Sequence, residues 1–176
     1  MKKVISIMFT LFILIVLSEQ ANAEWAKTIR LYPYSDAHSV KQTKDGGYII
    51  LASHSHASTW KINFWVIKLN SNSNIEWQKT YGLKNEFGKE MEDNPYGIDQ
   101  TFDGGYIIVG NSGRSKTWII KLDETGNIGW QKFGMYFSPG AFFDCSVKQT
   151  NDGGYALSHN INPTESIFTI HIFPLL

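Results

Sequence analysis

The sequence predicts an all-β protein built from antiparallel four-stranded units, and three observations predict it. One segment recurs three times: Gln42-Thr43-Lys44-Asp45-Gly46-Gly47-Tyr48, Gln100-Thr101-Phe102-Asp103-Gly104-Gly105-Tyr106 and Gln149-Thr150-Asn151-Asp152-Gly153-Gly154-Tyr155, at spacings of 58 and 49. A second block, Trp65-Val66-Ile67-Lys68-Leu69 followed by Asn74-Ile75-Glu76-Trp77-Gln78-Lys79, returns at a uniform offset of 53. Its second copy is Trp118-Ile119-Ile120-Lys121-Leu122 followed by Asn127-Ile128-Gly129-Trp130-Gln131-Lys132. Third, no segment carries a helical period, and 14% aromatic residues, 15 Gly and only 18% charged residues in 176 suit a packed, turn-rich β chain.

Residues 1–23 read as an export signal. Lys2 and Lys3 precede the apolar run Val4 to Leu17, which is too short to span a bilayer as a helix, and Ala21-Asn22-Ala23 supplies the small-x-small pattern of a cleavage site. Cleavage is expected before Glu24, which places the remaining 153 residues outside the cytoplasm, secreted or periplasmic. Setting aside Lys2, Lys3 and Glu19 leaves 14 Lys and Arg against 15 Asp and Glu. That balance offers no excess cations for nucleic acid or an anionic membrane. The single Cys145 cannot form an intramolecular disulfide, so core packing and strand pairing must hold the exported chain together.

Each later element follows from local chemistry. Glu24-Trp25-Ala26-Lys27-Thr28 stands 52 residues before Glu76-Trp77-Gln78-Lys79-Thr80 and reads as an isolated copy of a fourth strand. In each Gln-Thr-x-Asp-Gly-Gly-Tyr segment, Asp-Gly-Gly tolerates positive φ and closes a hairpin between the first and second strands. The third strand is Trp-x-Ile-Lys-Leu, with Trp, Ile and Leu on one face by period two, and the fourth is Ile-x-Trp-Gln-Lys. Between these lie the turns Asn70 to Asn74 and Asp123 to Asn127.

Four antiparallel strands every ~50 residues is the period of β-propeller blades. The chain resembles the secreted bacterial and archaeal repeat proteins whose units carry a Q-T-x-D-G-G-Y-I hairpin followed by W-x-I-K-L-D-x-x-G-N-x-x-W. It is also similar to the quinoprotein-type propellers in the segment Leu122-Asp123-Glu124-Thr125-Gly126-Asn127-Ile128-Gly129-Trp130. The resemblance covers residues 24–157 and implies a propeller fold without implying a catalytic residue. It divides the chain into a closing strand at 24–30, blades at 38–82 and 96–133, and an incomplete blade at 144–176. After Tyr155 the third-strand motif is replaced by Ser158 to Pro163 and the apolar tail Ile167 to Phe173, so two complete blades and fragments are expected, too few to close a ring. The expectation is therefore a truncated family member, or a chain that finishes itself by association through open blade faces, with the Trp25 strand free to pair with Phe168 to Phe173.

Candidate chemistry is sparse. Asp45, Asp103 and Asp152 read as turn residues, since each loop offers one carboxylate where calcium takes six to eight oxygens, and Asn70-x-Asn72-x-Asn74 lacks the acids of a calcium loop. His54 and His56 read as an exposed loop edge, and the run Glu86 to Asp93 as a solvated loop between blades. Cys145 reads as a spectator thiol. Recurring Trp25, Trp65, Trp77, Trp118 and Trp130 suit blade-to-blade packing, and Lys68 and Lys121 read as edge lysines with snorkelling stems. No local catalytic signature occurs, and neither a cofactor nor a metal site is expected. Contacts are expected only at Glu90 and Asp93 in the acidic loop and at the strand-start positions His38 and Tyr96, which with Cys145 would line a central channel. The function expected is non-enzymatic binding or scaffolding of a protein or glycan ligand. The rival readings are a remnant of a quinoprotein-like or hydrolytic propeller enzyme, or a decayed product without function.

Overall fold

The structure is a computed structural model describing residues 28–29, 34–55, 58–113, 116–136, 145–162 and 167–173. The leader, its cleavage point, the predicted strand around Trp25, and His56 lie outside the described residues. Within them the chain is all-β, in three antiparallel sheets. Sheet one is β1 (Tyr34–Gln42), β2 (Tyr48–Ser55), β3 (Ile62–Leu69) and β4 (Ile75–Tyr81), each paired to the next. Sheet two repeats this as β5 (Asp93–Gln100), β6 (Tyr106–Ser112), β7 (Lys116–Leu122) and β8 (Ile128–Tyr136). Sheet three holds β9 (Cys145–Gln149), β10 (Tyr155–Asn162) and β11 (Ile167–Phe173).

Two boundaries differ from the sequence reading. Sheet one begins at Tyr34, not 38, and sheet two at Asp93, not 96, because a β-bulge interrupts each first strand. The register slips between Ala37 and Ser39 and between Pro95 and Gly97, leaving His38 and Tyr96 as the extra residues. A bulge breaks the period-two alternation, so the pattern stops there although the strand continues. The apolar tail is corrected as well: β11 pairs with β10, Ile170 opposite Ser158, and takes the third-strand place without the third-strand motif.

The two glycines of each turn have different duties. Gly46, Gly104 and Gly153 sit at φ of 80, 85 and 85, the left-handed region a glycine enters at no cost. Gly47 and Gly105 are needed for room instead. A Cβ at either would stand 2.1 Å from the carbonyl oxygen of Leu69 or Leu122 on the third strand.

Neighbouring sheets stack through apolar faces. Ile49, Leu51, Phe64, Val66 and Tyr81 of sheet one pack against Ile98, Tyr106, Ile108, Trp118, Ile120 and Leu122 of sheet two. The opposite face of sheet two, with Ile107, Val109 and Ile119, packs against Val147, Tyr155 and Leu157 of sheet three. Fourth-strand tryptophans cover the next sheet: Trp77 meets Tyr106 edge-on at 5.8 Å, and Trp130 meets Tyr155 at 5.7 Å. Polar residues of the repeat fix the stacking. Gln100 Oε1 accepts the Lys44 N–H of the preceding turn at 2.8 Å, and Gln149 Oε1 accepts the Phe102 N–H at 2.7 Å. Within sheets one and two the third-strand indole donates to the fourth-strand glutamine, Trp65 to Gln78 at 3.2 Å and Trp118 to Gln131 at 2.9 Å.

These two glycine roles predict different costs on substitution. Gly104→Ala should lose about 1–2 kcal/mol through backbone strain. Gly105→Ala, whose Cβ meets the Leu122 carbonyl, should lose about 3 kcal/mol. Urea unfolding of both variants measures the difference, and equal losses would contradict it.

Candidate functional site

Two of the three Asp-Gly-Gly turns hold a cation, and it is the protein's own. Lys68 is 3% exposed and Lys121 7%, so both are buried, contrary to the edge position expected from sequence. The Lys68 amine donates to Asp45 at 2.7 Å, to Glu76 at 2.9 Å and to the Leu69 carbonyl at 2.9 Å. The Lys121 amine donates to both Asp103 oxygens and to the Leu122 carbonyl, but Gly129 stands where Glu76 would be. Alternation predicted which face each lysine would take. It could not predict that the turn above would bring a carboxylate down to meet the amine.

The carboxylates respond accordingly. Hydrogen bonds, first from Lys68 and then from Thr43, hold Asp45 well below the usual carboxylate range. For Asp103, burial opposes ionisation, but the Thr101 hydroxyl, the Lys121 amine and the Gly105 N–H outweigh it and bring the pKa to about 2. Asp152 keeps the same turn geometry through Thr150 and the Gly154 N–H. At the lysine position of that sheet, opposite Ala156, stands Ile172.

Exposed chemistry gathers at one end of sheets one and two, where β1 begins, β2 turns into β3, and β4 passes to β5. Lys84 and Glu90 bridge there to close a small hairpin, with Asn85 Oδ1 accepting the Phe87 and Lys89 N–H groups and Phe87 77% exposed at its tip. The Thr59 hydroxyl donates to Glu90 Oε2, and Lys61 lies 3.9 Å from Glu92, tying this hairpin to the β2–β3 turn. In that turn Trp60 is 60% exposed at φ 56, and its ring lies 5.7 Å from that of Tyr34, itself 65% exposed. The β6–β7 turn is shorter, three residues between Ser112 and Lys116 against six between Ser55 and Ile62, and there the positive φ, 61, falls on Gly113. A tryptophan thus holds a left-handed conformation that glycine enters freely, at a strain of order 1–3 kcal/mol.

Of the residues proposed from sequence, Glu90 is half-buried in this hairpin and accepts the Thr59 hydroxyl. Asp93 is corrected: it is fully buried at the start of β5, outside any solvated loop, where its Oδ2 accepts the Leu83 N–H at 2.7 Å and its Oδ1 makes no hydrogen bond. Burial pushes its carboxyl above the usual range, against the lowering influence of the Ser112 side chain and of the Leu83 N–H. His38 and Tyr96 occupy the two bulges. His38 is exposed, with desolvation lowering its pKa against the raising influence of Asp36. His54 is also corrected: it lies within β2, half-buried, its ring 6.3 Å from that of Trp65. Cys145 opens β9. Trp60 and Tyr34 were missed, although one signal was available: Trp60 is the tryptophan without a partner in the repeat.

A cleft of about 220 Å³ on the far face of sheet one is lined by Ile29, Asp36, Ala37, Ile50, Trp65 and Ile67 among others. Among the described residues no group of three or more His, Cys, Asp or Glu is placed to hold a metal ion, and no helix is long and apolar enough to cross a membrane. No family model and no curated protein matches the chain.

Two measurements test the charge arrangement. Asp103→Ala leaves the buried Lys121 amine without a carboxylate and should cost about 1–3 kcal/mol. Asp45→Ala should cost less, because Glu76 remains. Since the folded pKa of Asp103 is depressed, its contribution is complete above about pH 3.9, the unfolded value, and disappears as pH falls to about 2. Asp93 has the opposite sign: its raised folded pKa weakens the fold as pH rises beyond the unfolded value. Asp93→Asn should remove that slope, as read by thermal melts at several pH values, and a steeper slope in the variant would refute the assignment.

Proposed function

We propose that the chain is a secreted, non-enzymatic repeat protein of the Q-T-x-D-G-G-Y type, with its sheets as β-propeller blades, serving to bind or scaffold a protein or glycan ligand. The contact surface is the end that carries the β2–β3 turn and the β4–β5 hairpin. One observation carries this reading: an exposed tryptophan held at positive φ, its ring beside that of an exposed tyrosine. Folding gains nothing from that choice, since glycine enters the same conformation without strain, and strain retained at an exposed aromatic is characteristic of a recognition surface. Phe87 on the adjoining hairpin, together with Thr59, Lys61, Glu90 and Glu92, supplies apolar and polar contacts around it. Buried Asp93 supports the hairpin from beneath, and His38 and Tyr96 are secondary contact positions. Self-association through the open blade face at the sheet-three end belongs to the same reading.

Trp60→Gly separates binding from folding. The variant should be as stable as the parent or more stable, because the φ strain is relieved. Its binding to a glycan array and to insoluble peptidoglycan, chitin and cellulose should fall by tenfold or more relative to the parent. Parent-level binding in Trp60→Gly, and again with Lys84 to Glu90 replaced by a Gly/Ser linker, would overturn the proposal.

A further inference from the structure

The far face of sheet one carries a second feature, independent of the recognition end. Ala52, Trp65, Ile67 and Leu69 are buried there, and among the described residues outside the sheet it is Ile29 that packs against them. The repeat identifies what belongs on this face. Its counterpart in sheet two, Trp118, Ile120 and Leu122 with Tyr106, is covered by the fourth strand of sheet one. There Trp77 lies over Tyr106 and donates its indole N–H to the Glu124 carbonyl at 3.2 Å. Lys79 donates to Asn127 Oδ1 at 2.8 Å, and the Tyr81 hydroxyl to the Gly126 carbonyl at 2.6 Å. Sheet three is covered in the same manner by Trp130 over Tyr155.

Moving these positions back by the repeat offset of 52 turns Trp77, Lys79 and Tyr81 into Trp25, Lys27 and Ile29. Ile29 already stands on the face of sheet one as Tyr81 stands on that of sheet two. The tyrosine that such a tryptophan would cover is Tyr48, which is 36% exposed, against 1% for Tyr106 and 7% for Tyr155. Four residues of extended chain, ~13 Å, separate Trp25 from Ile29, the same number that separates Trp77 from Tyr81. We infer that Glu24 to Thr28 of the same chain dock on the far face of sheet one, with Trp25 over Tyr48 and against the Asn70 to Asn74 turn. The fit is looser than in sheet two, because Ser73 has a Cβ where Gly126 has none, and a Cβ at Gly126 would stand 2.9 Å from the Trp77 ring.

Hydrogen exchange of the purified chain tests this. In Trp25→Ala, amides of Tyr48 to Ile50 and Asn70 to Asn74 should exchange about tenfold faster, while those of Tyr106 to Ile108 keep their parent rates. Trp25→Phe should restore part of the protection. Where Trp25→Ala fails to fold, Trp25→Phe alone and in a Tyr48→Ala background carries the test: its effect should vanish once Tyr48 is gone. Unchanged exchange in the Trp25 variants would overturn the inference. So would protection that rises with protein concentration alongside a larger sedimentation coefficient, because the cover would then come from a second copy.

Discussion

The architecture rests on two sheets, one and two, that are apolar on both faces. From Ile49 to Leu51 in β2, from Phe64 to Leu69 in β3, and through β6 and most of β7, successive side chains are buried or nearly so, although alternation points them to opposite sides. A strand buried on both faces needs a neighbour on each side, so sheets one and two must both be covered twice. The repeat meets that requirement with one set of devices used again at each junction. A fourth-strand tryptophan lies on the next sheet's tyrosine, and a glutamine takes the N–H of the preceding turn. Both contacts cross between sheets, so they fix spacing and rotation together.

The polar half of the repeat solves a second problem. A third-strand lysine placed inside such a stack must find anions, because an unpaired buried ammonium costs several kcal/mol. The hairpin turn provides them: its Asp collects the lysine amine, the threonine hydroxyl and a glycine N–H at once. The second glycine is required because a side chain there would strike the third-strand carbonyl and the amine. Thr, Asp, Gly and Lys, separated by some twenty residues of sequence, are one tertiary contact. Sheet three, with Ile172 in the lysine position, retains the turn and omits the cation.

Much of this was legible because the chain states its pattern several times. Hairpins, strand order and turn types follow from Asp-Gly-Gly, from Trp-x-Ile-Lys-Leu and from the Asn-rich or Asp-rich turns, since each encodes a local backbone preference. The misses share a cause. The bulges at His38 and Tyr96 break alternation without a marker residue. Asp93 follows three charged residues in the chain yet enters a buried strand, because a backbone N–H from Leu83 is available to it. Trp60 has no counterpart in the repeat, so periodicity assigns it no place, and its interest lies in not recurring.

By itself the sequence determined the class of fold, the four-strand unit, the turn chemistry and which residues repeat, because these depend on periodicity and on the φ preferences of a few residues close together in the chain. Only the tertiary structure decided which lysines are buried and by what they are held, which glycine is conformational and which is steric, that β11 takes the third place in its sheet, and that the aromatic cluster of Tyr34 and Trp60 comes together beside a hairpin. Each of those outcomes depends on groups distant in sequence meeting across a turn or between sheets, and a linear pattern carries no information on which distant group will arrive.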